Sequence, residues 1–85
     1  DGTEAYVTNE TDGTVSVINV STHTLVGTAI PVGSFPRGVA IRQDGKRAYV
    51  VNLGSHTVSV IRTAKKKVVA TVAVGVSPFA IGIRP

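Results

Sequence analysis

The chain has 85 residues, of which 42% are hydrophobic and 16% charged, and it contains no cysteine. This composition is globular: it excludes a disordered or collagen-like chain, and without cysteine neither disulfides nor thiolate metal sites can hold the fold. The net charge of +4 is unevenly divided, because residues 1–43 carry four acids and two bases whereas residues 44–85 carry one acid and seven bases.

Eight short β-strands are predicted in chain order. Each apolar stretch is rich in Val, Ile, Thr and Tyr and is bounded by Gly, Pro, Asn or Asp, a pattern typical of strands in an all-β protein. The pairs Asp12-Gly13 and Asp44-Gly45 suit tight hairpin turns, and Asn9 and Asn52 are interpreted as turn formers. No stretch is long enough to cross a bilayer. The predicted strands are residues 5–9, 14–20, 25–32, 38–43, 48–52, 57–63, 67–74 and 80–84.

The second half of the chain repeats the first. The sequence AYVTN of residues 5–9 returns as AYVVN at 48–52, and TVSVI of residues 14–18 returns unchanged at 57–61, both at an offset of 43. One extra residue near Ile30 then reduces the offset to 42. A period of this length is found in propeller blades and in helical arrays, and the strand composition favours blades. We therefore expect two repeats, 1–43 and 44–85, built from four-stranded antiparallel meanders.

These motifs, followed in each repeat by Val-Gly, Pro and an apolar strand, resemble the YVTN family of β-propeller repeats. The resemblance covers the whole chain. It implies that residues 5–32 form the second, third and outer strands of one blade, that residues 38–74 form a complete blade, and that residues 80–84 are an inner strand with no blade after it. It also implies a secreted or cell-surface location, and the wider group includes propellers that bind proteins, sugars or cofactors. No cofactor is predicted for this chain.

The two ends of the chain are complementary, because the first blade lacks an inner strand and the last strand lacks a blade. We expect this strand to complete the first blade of another copy, so that three or four chains close a ring of six or eight blades. The alternative is a piece of a longer propeller, and such regular copies also fit a designed or minimised protein. The candidate inter-chain strand comprises Pro78, Phe79, Ala80, Ile81, Gly82, Ile83 and Arg84.

The loops of a meander lie at alternate ends of the sheet, so the hairpins divide into two groups. In family propellers one end carries the mouth of the central channel, where a protein or glycan ligand would bind. The other end is expected to carry His23, Asp44, Lys46, Arg47, Lys65 and Lys66. The candidate channel-mouth face comprises Glu10, Asp12, Phe35, Arg37, His56 and Phe79.

No catalytic or metal site is predicted. Ser16 and Ser59 lie inside strands without a nucleophile elbow, and the two histidines fall at opposite ends of the blades. The run 65–67 is basic but has no interleaved aromatic residue, so nucleic acid is not favoured as a partner. The sequence predicts a non-catalytic scaffold or binding module; the alternatives are a surface-layer or adhesion protein, or part of a propeller enzyme such as a lyase.

Overall fold

The computed structural model describes residues 3–76 and 80–83, and this part of the chain is built from β-strands joined by turns. None of it is a helix of the length and apolarity needed to cross a membrane. The strands are β1 (Glu4–Asn9), β2 (Thr14–Asn19), β3 (Thr24–Leu25), β4 (Ile30–Pro31), β5 (Pro36–Ile41), β6 (Arg47–Asn52), β7 (Thr57–Arg62) and β8 (Lys67–Ala73).

The strands form two antiparallel sheets, which confirms the predicted pair of blades. In the first blade β1 pairs with β2, and both β3 and β4 pair with the other edge of β2. In the second blade β5, β6, β7 and β8 follow one another as a complete meander. The first blade therefore has no counterpart of β5 among the described residues.

The outer strand of the first blade differs from its prediction. The single strand expected over residues 25–32 is divided into β3 and β4, and Gly27 between them has a φ of 65°. A positive φ is readily adopted by glycine but interrupts the pairing of a strand. The second repeat has one residue fewer here, and β8 continues past an irregularity opposite Val60 and Ile61.

The predicted strand at 80–84 is not formed in the part that the structure describes. Residues 80–83 are assigned to no strand. The other members of the candidate inter-chain strand, Pro78, Phe79 and Arg84, lie outside the described residues. Pairing of this segment with another copy stays a prediction.

Each blade has two faces, which the strand register defines because residues paired across strands point to the same side. We call one face the front and the other the back. The front of the first blade carries Ala5, Val7, Asn9, Thr14, Ser16, Ile18 and Leu25, and its back carries Glu4, Tyr6, Val15, Val17, Asn19, Thr24 and Ile30. The front of the second blade carries Ala48, Val50, Asn52, Thr57, Ser59, Ile61 and Val68, and its back carries Arg47, Tyr49, Val58, Val60, Arg62, Lys67 and Val72.

The core lies between the two blades. It comprises Val15, Val17 and Ile30 from the back of the first blade and Ala48, Val50 and Ile61 from the front of the second, all at most 4% exposed. Most of the outer faces remains open: Leu25 on the front of the first blade is 69% exposed, and Val72 on the back of the second is 49% exposed, although Val51 on that back face is buried. The core residues between the two sheets are valines, isoleucines and an alanine, and these compact side chains allow the sheets to approach closely.

The asparagines that end β1 and β6 each join their strand to the next one through the side chain. Asn9 Nδ2 donates to Thr14 Oγ1 at 3.0 Å and to Ser16 Oγ at 2.8 Å. Asn52 Nδ2 makes the same pair of bonds, to Thr57 Oγ1 at 3.1 Å and to Ser59 Oγ at 2.9 Å. The repeated Thr and Ser of the next strand are thus hydrogen-bond acceptors, a role that the interpretation of asparagine as a turn former missed.

Candidate functional site

A crevice of about 480 Å³ opens between the blades at one end of the sheets. Its walls are the loop between β1 and β2, the segment that connects the two blades, and Ser55 from the loop between β6 and β7. The crevice brings together Glu10, Asp12 and Phe35 from the candidate channel-mouth face. Hairpin alternation alone was sufficient to predict that these loops share one end.

Phe35 is held at the mouth of this crevice in an unusual backbone conformation. Its φ is 49°, a value that costs an ordinary residue about 1–2 kcal/mol, and its side chain is half exposed. Three bonds fix it: Leu53 N donates to the Phe35 carbonyl at 3.0 Å, Gly54 N to the Ser34 carbonyl at 2.9 Å, and Ser34 N to Ser55 Oγ at 2.7 Å. The ring lies against Gly54, where a Cβ would come within 2.8 Å of Cδ2.

An ion pair crosses from one blade to the other at the same end. Arg37 Nη1 of β5 lies 3.5 Å from Glu10 Oε2 in the β1–β2 loop, and both side chains are about half exposed. A pair this exposed stabilises the fold by at most about 1 kcal/mol. It does fix the side of the crevice on which the Glu10 carboxylate lies.

His56, another member of the predicted face, does not line this crevice. His56 ends the turn after β6 with a φ of 57°, and its carbonyl accepts a hydrogen bond from Val74 N at 3.0 Å, next to the outer strand. Phe79 lies outside the described residues. Within the described ranges no three His, Asp or Glu side chains are grouped so that they could hold a metal ion.

A second cavity, of about 280 Å³, lies between the blades at the opposite end, and no feature of the sequence predicted it. Lys66 Nζ is 3.1 Å from Glu4 Oε1 across the blade interface and donates to the Thr63 carbonyl at 2.8 Å. On the rim, Arg42 Nη2 is 2.6 Å from Asp44 Oδ2. The Lys46 backbone N–H and the Arg42 guanidinium hold the pKa of Asp44 below its ordinary value.

Tyr6 lines this second cavity, and its hydroxyl is buried. Among the described residues the hydroxyl has no hydrogen bond of good geometry, although the Lys66 ammonium interacts with it. Burial raises the pKa of the Tyr6 phenol, the Lys66 charge opposes that shift, and the Glu4 carboxylate adds to it. The neutral phenol is therefore favoured in the folded chain.

We expect stability to fall as the pH rises above about 10, because the unfolded chain then releases the phenol proton before the folded chain does. The raised pKa of the Tyr6 phenol makes a contribution to stability that is fully present below the pKa of the unfolded chain. This contribution is lost as the pH rises through the pKa of the folded chain. Tyr6→Phe should remove this part of the loss, and Tyr49→Phe, at the equivalent place on the open face of the second blade, should leave it. Urea unfolding between pH 8 and 11 measures the effect, and equal curves for Tyr6→Phe and the unmodified chain would contradict it.

Comparisons with known proteins identify the fold and leave the family open. No family model and no curated protein matches the chain. Among solved structures, Kuenenia stuttgartiensis hydrazine synthase matches with a TM-score of 0.88 and 28% identity over 92% of this chain and 22% of that one. Apo AztD from Citrobacter koseri matches with a TM-score of 0.76 and 22% identity over 91% of this chain and 23% of that one.

Both neighbours are β-propeller proteins, and this chain spans less than a quarter of the length of each. The likeness agrees with the two four-stranded antiparallel sheets and with their face-to-face packing. The chain is an all-β protein whose two sheets are blades of a β-propeller.

Proposed function

We propose that the chain is a non-catalytic propeller unit that assembles head to tail with copies of itself into a closed ring. Three or four chains would give six or eight blades, within the usual range for propellers. One observation carries the proposal: the open front of the first blade repeats the buried front of the second blade almost residue for residue. Within this chain, the front of the second blade is already covered by the back of the first blade.

The two front faces match in both their apolar and their polar residues. Ala48, Val50 and Ile61 are fully buried by the first blade, and Ala5, Val7 and Ile18 occupy the same places on the first blade. Each front also carries the bonded asparagine, threonine and serine described above. The first blade therefore presents a second docking surface of the same shape and polarity.

The open back of the second blade supplies the complementary surface. Val58, Val60 and Val72 occupy the positions that Val15, Val17 and Ile30 hold on the back of the first blade, where those residues are buried. A copy docked in this way would reproduce the apolar contacts of the core. A head-to-tail contact of this kind either closes into a ring or grows into a filament.

At one point of the interface between the two blades, a glycine backbone lies very close to a side chain of the other blade. The repeat equivalents of these two residues should meet between two copies in the ring. Gly33 packs against the side chain of Asn52, so tightly that a Cβ on Gly33 would lie 2.7–2.8 Å from its atoms. The repeat equivalents are Gly75 and Asn9. Gly75 has nothing within 4 Å of the place of its Cβ. In the proposed ring, Gly75 of one copy meets Asn9 of the next.

The inner strand of the first blade would come from the neighbouring copy. Residues 78–84 match Pro36–Arg42 in sequence position, and β5 fills this place in the second blade. The crevice at Glu10, Asp12 and Phe35 would then be repeated around the channel mouth as a surface for a protein or glycan. A secreted or cell-surface location and membership of the YVTN repeats belong to the same proposal.

A second candidate is a segment of a longer propeller, in which further blades of one chain cover both open faces. This chain spans only 22% and 23% of the length of the two neighbouring propellers, which favours this candidate. It uses the same two docking faces. The difference lies in whether the covering blades come from a copy or from the same polypeptide.

The experiment introduces cysteines as Asn9→Cys and Gly75→Cys in one chain, where the smaller side chain at position 9 makes room for the Cβ added at position 75. The sequence has no native cysteine, so a disulfide that peptide mapping locates between position 9 of one chain and position 75 of another reports the proposed junction. We expect oxidation to give covalent species that end at a trimer or tetramer. The Gly33→Cys/Asn52→Cys chain is the control, since these positions meet inside the chain and should give a disulfide-bonded monomer.

The covalent species formed on oxidation distinguish the candidates. A ladder of covalent oligomers that ends at one size supports the ring. A chain that remains monomeric after oxidation, while the control pair forms its disulfide, would contradict self-assembly and leave the longer propeller. An endless ladder would show head-to-tail contact without closure, which contradicts the ring.

A further inference from the structure

Three cationic side chains form a row across the back of the second blade. In the strand register Arg47 of β6 pairs with Arg62 of β7, and Arg62 pairs with Lys67 of β8. Directly paired residues lie on the same face, with Cβ atoms about 4.5–5.5 Å apart. The row, Arg47, Arg62 and Lys67, therefore concentrates three positive charges on neighbouring strands; we call it the basic row.

The first blade has no such row. The equivalent places on its back carry Glu4, Asn19 and Thr24, in the same register. The rest of the two back faces is uncharged in both repeats: Tyr6 returns as Tyr49, two valines and an isoleucine are matched by valines, and Thr8 is matched by Val51. Only the end row changes in charge between the repeats, from one negative charge to three positive ones.

The basic row is not neutralised by acids of the described chain. Arg47 Nη1 donates to the Lys46 carbonyl at 3.1 Å. The acid on the same end of this blade, Asp44, is paired with Arg42, and Glu4 is paired with Lys66 at the blade interface. Like charges directly opposite one another in a sheet are destabilising. A bound anion would remove that repulsion.

We propose that the basic row binds an oxyanion of the phosphate or sulfate class. Guanidinium groups present parallel N–H donors that match such oxygens, and the Lys67 ammonium adds a third charge. Tyr49 lies two residues from Arg47 on the same face and offers a hydroxyl donor. The site belongs to the chain itself, so it does not depend on ring formation.

Assembly would enclose this site. Within the chain, Lys66 of the β7–β8 turn pairs with Glu4 across the blade interface. In the proposed ring the equivalent β2–β3 turn of the next copy would lie over the basic row. That turn carries Ser21 and His23, both with donor groups, and has no acid. This part rests on the proposed function: the anion would bridge two copies where the chain itself uses Glu4 and Lys66.

The test titrates the protein with inorganic phosphate, and separately with sulfate, at constant ionic strength set with chloride. Backbone amide signals of residues 47, 62 and 67 report binding. Arg62→Asn/Lys67→Thr introduces two residues of the first blade's row and removes two charges; Lys46→Gln/Lys65→Gln removes two charges from the same end, off the row. We expect about a tenfold loss of phosphate affinity in the first variant and less than about twofold in the second.

Three results would overturn the proposal. One is the absence of saturable shifts in the unmodified chain, and another is an equal loss of affinity in both variants. The third is binding of a single-stranded oligonucleotide without binding of phosphate or sulfate. The solution mass is recorded on the same samples. A monomer that still binds phosphate through the row would contradict ring assembly alone, so failures of the two proposals can be told apart.

Discussion

Replacement of Ile61 by alanine is expected to lower the free energy of unfolding by about 3 kcal/mol, because it opens a cavity in the only interface between the blades that the described chain contains. Ile61 is fully buried. Ile18 is the same residue at the same place on the first blade, and its face is open. Ile18→Ala should therefore cost about 1 kcal/mol or less when the chain is monomeric. Urea unfolding at low protein concentration measures both.

The comparison separates burial from residue type, since both substitutions remove the same atoms from equivalent strands. Equal costs for Ile18→Ala and Ile61→Ala in samples whose mass is 8.8 kDa would contradict the assignment of the core to one face of each blade. At concentrations where a ring forms, the cost of Ile18→Ala should rise toward that of Ile61→Ala. That rise follows from the coverage of the front of the first blade by a second copy.

Gly33→Ala is expected to destabilise the chain by about 2 kcal/mol through overpacking. Its Cβ would approach the side chain of Asn52 to 2.7–2.8 Å, and Asn52 is fully buried with two bonds that hold it in place. Gly75→Ala provides the matched control, because nothing lies within 4 Å of its Cβ. Its effect on the monomer should stay within about 0.5 kcal/mol. Thermal or urea unfolding of the two variants is the measurement.

Gly75→Ala has a second use, because it is silent in the chain and disruptive in the ring. If Gly75 meets Asn9 of another copy as Gly33 meets Asn52, the added methyl group should weaken assembly while the fold is kept. A Gly33→Ala chain as stable as the unmodified one would contradict the packing described here. A Gly75→Ala chain that assembles normally would contradict the proposed geometry of the junction.

Strand positions and blade count were predictable because their signals are local. Alternating β-branched residues, turn pairs such as Asp12-Gly13 and a constant offset between the halves are properties of short segments. The division of the outer strand at Gly27 was not predictable from that pattern, because residues 25–32 have the composition of one strand. The extra residue of the first repeat gave the only signal, and its position did not show where pairing would stop.

The ends at which the loops lie were also predictable, whereas the partners of particular side chains were not. Alternation brought Glu10 and Phe35 to one crevice, but it did not show that the His56 carbonyl would accept a hydrogen bond from Val74 N beside the outer strand. The basic row joins residues that are far apart in sequence, and it depends on the register of β7 and β8 around an irregularity. A run of charges such as 65–67 was visible in the sequence; a row across three strands was not.

The solution mass of the unmodified chain shows whether copies close into a ring. Light scattering on a sizing column, over a wide range of protein concentrations, measures it without a label or a ligand. We predict a single species of three or four times 8.8 kDa at the higher concentrations. A mass of 8.8 kDa at every concentration, or a continuous distribution of larger particles, would contradict a closed ring of copies.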